Sequence, residues 1–438
     1  MQQQNQQPTR LTPYQKIVIL ILALTQFTVI LDFMVMNPLA DFMMKSMDMK
    51  TSGFGFAVSA YAFSAGISGL LTAGFADKFD RKKLLLFFYI GFVAGTVLCG
   101  LANSYEVLVI ARIVTGLFGG VIGSIGMAII ADIFTIQQRG RVMGFVQMGF
   151  AASQILGIPI GIALASNFNW HVPFIAVAGF AALVLLLIVF KLKPVTAHLG
   201  VQTDKSPLKH LLHTVVKKDY RIGFAATALL SVGGFMMMPF GTAFAINNLH
   251  ISPHNKIFLG IDELTLLFIV AGIGSMFVMP LIGKLSDKID KFKIFAIASA
   301  WMIVMVIFYT NLGPTPLWQV MVLNVLMMGG VMSRMIPSQA LVTAVPEMRD
   351  RGAFMSINTS LQQLAGGVAA AVAGLIVAQK DKQSPLEHYD TLGYIISVVT
   401  IVGVYLIYRV SVLVKKKTAE RAAAGQVTVV QPEAIAEM

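Results

Sequence analysis

The stretch Gly283-Lys284-Leu285-Ser286-Asp287-Lys288-Ile289-Asp290-Lys291-Phe292-Lys293 repeats, 210 residues later, the pattern of Ala73-Gly74-Phe75-Ala76-Asp77-Lys78-Phe79-Asp80-Arg81-Lys82-Lys83. Each copy follows a long apolar run and sets an acid, then a cluster of bases, in the short connection before the next apolar run. A repeat of about half the chain, carried on apolar helices, is a recurring build of membrane proteins with two related halves.

Composition gives the same frame. Of 438 residues, 56% are apolar and 12% charged, with 25 Met and 30 Phe, a balance that suits a bilayer better than a soluble domain. The net charge of +12 raises nucleic acid as a partner. The positions of the bases speak against it, as shown below.

Crossing a hydrocarbon layer of ~30 Å takes about 20 apolar residues. Twelve runs qualify: 17–44, 53–76, 84–101, 107–133, 142–166, 172–190, 222–247, 264–285, 294–312, 316–345, 353–378 and 392–414. The reading is an all-α membrane protein of twelve spans in two six-helix bundles. It divides into an N-terminal segment (1–16), a first bundle (17–190), a central linker (191–221), a second bundle (222–414) and a C-terminal tail (415–438). The first run is too long for a cleavable signal, carries Asp32 and lacks a small-residue cleavage site.

Of the 33 Lys and Arg, only Lys45, Lys50, Lys256, Lys380 and Lys382 fall on one side of these spans. Arg112 and Arg334 lie inside spans 4 and 10. The remaining 26, counting Arg409 with the tail, fall on the other side. By the positive-inside rule both termini are expected in the cytoplasm, and the basic charge is a topology signal that also attracts anionic membrane lipid. The localisation expected is a multi-pass protein of the bacterial inner (plasma) membrane. Within the linker, Leu208, Leu211, Leu212 and Val215 have the spacing of a short amphipathic helix on the membrane surface; a solvated linker is the other reading. The tail beyond Lys417, alanine-rich and mixed in charge, is expected to be mobile.

Cys99 is the only cysteine, so no disulfide forms within the chain, and no spacing of Cys, His, Asp or Glu suits a metal. No Gly-Lys-Ser/Thr phosphate loop is present, which excludes an ATP-driven pump unless a separate subunit supplies the nucleotide site. No nucleophile, metal or cofactor constellation marks an enzyme, and no obligate protein partner is indicated.

The first copy of the repeat resembles motif A of the major facilitator superfamily, G-x-x-x-D-R/K-x-G-R-K. Asp77, Lys78, Arg81 and Lys82 fall in place, with Ala73 at the first glycine and Asp80 at the second. The second copy keeps Gly283, Asp287, Lys288 and Lys291, with Asp290 at the second glycine. Leu31-Asp32-Phe33-Met34-Val35-Met36-Asn37 resembles the L-D-x-x-x-V-N signature of the drug:proton antiporter group, with Met36 where valine is usual. Arg112 with Gly116, Gly119 and Gly120 resembles motif B. Gly157-Ile158-Pro159-Ile160-Gly161 is similar to a reduced motif C, its adjacent Gly-Pro split by Ile158. The resemblance implies the major facilitator fold and a secondary transporter that moves a small organic compound or drug against protons. A proton-coupled importer, an exporter of a sugar or metabolite, and a non-transporting membrane sensor are the alternatives.

Specific residues then take candidate roles. Asp77 and Asp287 can meet helix N-termini of the opposite half, whose free N–H groups favour an anion, and so hold a cytoplasmic gate. Arg81 can pair with Asp132, and Asp287 would face span 5 near Arg141; Lys291 completes the gate set. Charges inside a bilayer mark a pathway or find a partner. Asp32 and Arg112 lie at like depth, roughly 22 Å from the cytoplasmic side at 1.5 Å per residue, and in the resembled fold spans 1 and 4 line a central cavity. They are the candidate proton-coupling pair; a static pair holding spans 1 and 4 together is the competing reading. Arg334, beside Pro337, is either an interfacial cation or a cavity group for an anionic substrate or second gate. Gln26, Asn37, Gln147, Gln154, Asn324, Asn358, Gln362 and Gln363 are candidate cavity liners or interhelical contacts. Gly116, Gly120, Gly157 and Gly161 allow close helix packing, and Pro159 adds a bend.

Overall fold

The computed structural model describes residues 11–73, 75–196, 199, 207–258, 260–347, 350–382 and 384–423. It is built from helices, the form that satisfies backbone groups within one segment when no water is at hand. Span 1 is α1 (Pro13–Val35), a 3₁₀ turn (Asn37–Leu39) and α2 (Ala40–Ser46). Spans 2 to 4 are α3 (Thr51–Ala73), α4 (Arg81–Gly100) and α5 (Tyr105–Ile133). Span 5 is α6 (Ile136–Ala152), a π-helical turn (Ser153–Gly157) and α7 (Ile158–Asn167); span 6 is α8 (His171–Lys191). The π turn lies just ahead of Pro159, whose ring and missing N–H do not fit a continuous α-helix.

The linker forms α9 (Pro207–Val216). Span 7 is α10 (Lys218–Met237), a 3₁₀ turn (Met238–Phe240) and α11 (Gly241–Asn247). A short antiparallel hairpin, β1 (Lys256–Phe258) with β2 (Ile261–Asp262), leads into α12 (Glu263–Lys288). Then follow α13 (Lys291–Thr310), α14 (Leu317–Thr343), α15 (Arg351–Ile376) and α16 (Tyr389–Ala423). Ten helices among the described residues are long and apolar enough to cross a membrane. Span 5, interrupted by its π turn, and span 8, partly outside the described side chains, accord with the twelve expected.

Two expectations change. Helix α16 runs on to Ala423, because the alanines and charged residues after Val414 are good helix formers; residues 424–438 lie outside the described chain. The linker helix forms, yet it does not simply rest on the membrane. It packs on α10 and α15, with Leu211 8% and Thr214 0% exposed, while Leu212 and Val216 face outward.

The duplication is visible in the packing. In the first half α1 packs on α6 and α8, α3 on α5, and α4 on α5 and α8. In the second half α10 packs on α15 and α16, α12 on α14, and α13 on α14 and α16, the same plan helix for helix. Between halves, α3 lies along α15, and α7 meets α12.

Three apolar clusters show how the halves join. At the end away from the chain termini, one cluster takes residues from both halves, from Val35, Phe54 and Trp170 to Phe240, Phe244 and Ala370. At the terminal end the first half has its own cluster around Leu85, Tyr89 and Ile125, and the second half another around Phe224, Phe295 and Phe354. Apolar burial, at ~25 cal/mol per Å², therefore welds the far end, while at the terminal end each half has its own buried cluster and Leu70 of α3 packs against that of the second half.

Candidate functional site

Asp32 and Arg112 come together. The Arg112 Nη1 donates to Asp32 Oδ2 at 2.9 Å, and both side chains are 0% exposed. Thr96 Oγ1, on α4, lies 3.0 Å from Asp32 Oδ1 and equally near Phe92 O. Arg112 Nε and Nη2 have no hydrogen-bond partner; the guanidinium instead sits 4.4 Å over the ring of Tyr61, on α3. The pair thus lies among α1, α3, α4 and α5, inside the first half. The expected position on a water-filled cavity is not met in this conformation, because the four helices close over the pair on every side.

Glycine makes that closure possible. A Cβ at Gly120 would lie 2.6 Å from Ala65 Cα, and one at Gly116 would overlap Ser64 and the backbone of Tyr61; α5 and α3 touch backbone to backbone. A Cβ at Gly161 would stand 2.5 Å from Val35, and one at Gly157 would overlap Leu31, so α7 and the π turn press on α1 in the same way. Pro159 itself is buried.

From the pair a line of rings leads to the other half. Tyr61 meets Phe33 at 5.2 Å between centroids, and Phe33 meets Phe235 of α10 at 5.5 Å. Phe235 lies flat against helix α15, where a Cβ at Gly366 would come within 2.6 Å of its ring. Sequence reading missed Tyr61, Thr96, Phe33 and Phe235, since each is an ordinary apolar or small residue until the fold sets it beside the charge.

At the terminal end Arg81 Nε donates to Asp132 Oδ2 at 3.2 Å, joining the start of α4 to the end of α5. The side chains of Asp77, Asp287, Arg141, Gln147 and Gln154 lie outside the described residues; Lys291 is half-buried. The acids that replace the second glycine of each motif copy have a clear task. Asp80 accepts Lys82 N at 2.9 Å and caps α4; Asp290 accepts Phe292 N at 2.9 Å and Lys293 N at 3.2 Å and caps α13, with φ of −53° and −52°. Asp80 also accepts Val195 N at 2.9 Å, and Asp290 pairs with Lys415 at 2.7 Å. Each cap ties its helix to the chain leaving the sixth helix of its half. The Lys415 ammonium and the two N–H groups hold the Asp290 carboxyl below the ordinary carboxylate range.

At the far end a polar latch crosses the halves. Asn247 Nδ2, on α11, donates to Asp41 Oδ1 at 2.7 Å; Lys45 Nζ reaches Asp41 Oδ2 at 2.8 Å and Asn247 Oδ1 at 3.4 Å. Thr51 donates to Val377 O at 2.6 Å, Ser59 to Gly367 O at 2.8 Å, and Lys382 pairs with Asp48 at 3.0 Å. The i,i+4 spacing of Asp41 and Lys45 was a readable signal; Asn247, its partner across the axis, was not.

The other candidates are dispersed. Gln26 is half-buried on α1, with its Oε1 3.3 Å from where a Cβ of Gly123 would stand. Asn37 is buried in the 3₁₀ turn, Gln362 is exposed, and Asn324 is 5% exposed. Among the described residues Asn324 Oδ1, Asn358 Oδ1 and Gln363 Oε1 have no hydrogen-bond partner. Arg334 is half-buried, has Nε unpartnered and lies 5.5 Å over the ring of Phe295. Among the described residues no group of His, Cys, Asp and Glu is placed to hold a metal.

Comparison with known proteins accords with this geometry. The family model of the Major Facilitator Superfamily matches residues 22–370 and 223–433. The uncharacterized MFS-type transporter YceJ of Bacillus subtilis (strain 168) is 27% identical over 276 residues, 61% of this chain and 66% of that one. A probable sugar efflux transporter of Helicobacter pylori (strain G27) is 25% identical over 245 residues, 56% of this chain and 59% of its own length. The chain therefore spans less than two thirds of either relative. The crystal structure of a D-xylose-proton symporter superposes with a TM-score of 0.71 at 17% identity, over 91% of this chain and 97% of that one. The chain belongs to the Major Facilitator Superfamily, and its ten long apolar helices among the described residues mark a multi-pass membrane protein.

Proposed function

From membership of that superfamily, we propose that this chain exports a small organic compound across the bacterial inner membrane in exchange for protons, by alternating access. The base-rich terminal end faces the cytoplasm, as the positive-inside rule requires. In this reading the far-end latch lies on the outer side of the membrane. Direction rests on the antiporter-like stretches around Asp32 and Gly157, and it agrees with the efflux named for the Helicobacter relative.

The observation that carries proton coupling is the buried Asp32–Arg112 pair with its line of rings to Phe235. A proton on Asp32 leaves Arg112 without a charge partner, and the guanidinium is free to move against Tyr61. Tyr61 rests on Phe33, and Phe33 on the opposite half. Protonation state thereby biases how the halves meet, the differential contact that population shift needs. Asp77 and Asp287 act at the other side of the cycle, meeting helix N-termini only when the cytoplasmic end is shut.

Inverted vesicles with an imposed pH gradient test this reading, with dyes, drugs and sugars screened for gradient-dependent movement. Asp32→Asn is expected to abolish gradient-driven transport while sparing energy-independent exchange. Full proton-driven transport in that variant would remove Asp32 from the mechanism. Loss of folded protein would assign the pair to the structural role it competes with.

A further inference from the structure

We propose that Arg334 is the docking group for a planar oxyanion on the transported compound, a carboxylate in the first instance; this rests on the transport reading above. The starting point is a charge balance. Inside the spans the described ionised side chains away from the helix ends are Asp32, Arg112 and Arg334. The first two neutralise each other at 2.9 Å. Among the described residues Arg334 forms no ion pair and its Nε has no hydrogen-bond partner; its guanidinium lies 5.5 Å over the Phe295 ring. An unneutralised charge at membrane depth is costly, so it is retained where a pathway or ligand supplies the counter-charge.

The geometry fits a bidentate ligand. Nε is the buried, unpartnered nitrogen, and the Nε–Nη edge of a guanidinium matches the two oxygens of a carboxylate in two parallel N–H···O bonds. Helix α14 is loosened at this point. Pro337 has no N–H for the carbonyl of Ser333, and Ser338 Oγ donates to Arg334 O at 2.7 Å. The Phe295 ring, one turn in from the start of α13, places the guanidinium toward the terminal end. There the two halves have separate apolar cores, so an anion arriving from that side meets Arg334 before the welded far end. Among the described residues Asn324, Asn358 and Gln363 leave further amide oxygens unpaired in the same half.

The test is calorimetric titration of the purified full-length protein with sodium benzoate, sodium sulfate and sodium chloride, beside vesicle transport of an anionic, a neutral and a cationic dye. Saturable benzoate binding is expected. Arg334→Gln should weaken it about tenfold or more, the scale of losing one charge-assisted pair, and Arg334→Lys should weaken it less, since the charge survives and the fork does not. Sulfate binding with the same response would widen the ligand class to oxyanions, as the shared chemistry allows. Chloride alone binding would show an adventitious ion only and overturn the proposal. So would benzoate binding that Arg334→Gln leaves unchanged, or no anion binding at all. Gradient-driven movement of the anionic dye that Arg334→Gln does not alter, or movement of the neutral and cationic dyes alone by the native protein, would sink this inference and leave the transport reading intact, whereas movement of no dye by the native protein would count against transport itself.

Discussion

In the first half the guanidinium of Arg112 meets Asp32 and is sealed from solvent; in the second half Arg334 lies over the ring of Phe295, forms no ion pair among the described residues, and keeps part of its surface exposed. Both arginines ride on the fourth helix of their half, and both halves pack by one plan. A duplicated scaffold has thus been loaded with charge in two ways. The sealed pair suits a switch that must hold its charge away from water, and the unpaired cation suits a group that meets a ligand. Among the described residues the buried unpartnered amide oxygens fall on the same side of this divide, since Asn324, Asn358 and Gln363 all belong to the second half.

The largest break in that contrast is Arg112→Ala. Leaving Asp32 buried without its partner should cost the protein about 3 to 5 kcal/mol, read as a loss of thermal stability, whereas Arg334→Ala, which orphans no carboxylate, should cost far less. Equal losses would mean that Arg334 has a structural partner after all. Combining Asp32→Asn with Arg112→Gln should recover much of the stability, because the pair is removed together.

Next in size is the glycine seam. Gly120→Ala drives a methyl into Ala65 of α3, and overpacking of this kind costs roughly 1 to 3 kcal/mol. On the matching helix of the second half, Gly329→Ala meets only Val278, 3.7 Å away, and should be neutral within about 0.5 kcal/mol or slightly stabilising. Denaturation midpoints of the two variants compare the halves directly.

The far-end latch predicts a population effect. Asn247→Ala removes the donor to Asp41 and the acceptor for Lys45, which should shift spin-label distances across the far end toward separation. Asp77→Asn should do the reverse, shifting cytoplasmic-end distances toward the open form. A distribution unchanged in either variant removes that residue from gating.

The smallest effects sharpen the symmetry. Asp80→Ala and Asp290→Ala should each cost ~1 kcal/mol as lost helix caps. Because the folded carboxyl of Asp290 is held below its ordinary range, its contribution is present above the unfolded value and is lost as pH falls through the folded one. Amide-exchange protection at the start of α13, corrected for intrinsic exchange, should therefore hold at mild acidity and fall only below the ordinary Asp value of about 4, and Asp290→Asn should show less of that fall.

Much of this was legible in the sequence, for a physical reason: bilayer depth and helical rise fix span lengths and the depth of each charge. Twelve spans and the like depth of Asp32 and Arg112 follow from counting, and the Arg81–Asp132 contact from the resemblance to motif A. What counting lacks is rotation about the helix axis. Nothing in the chain alone says that Asp32 turns toward α4 and α5 and away from the central axis, or that the ring between Arg112 and Phe33 is Tyr61. The acids at the second glycine of each motif read as departures from a pattern. Only the capped helices show them to be the same solution reached in both halves.

Cys99, the single thiol of the chain, has no exposed surface. It lies on α4 one helical turn beyond Thr96, which touches Asp32. A thiol reagent that is silent toward the resting protein would therefore find Cys99 only if the chamber around Asp32 and Arg112 admits water at some point in the cycle. The native chain carries its own chemical clock for that opening.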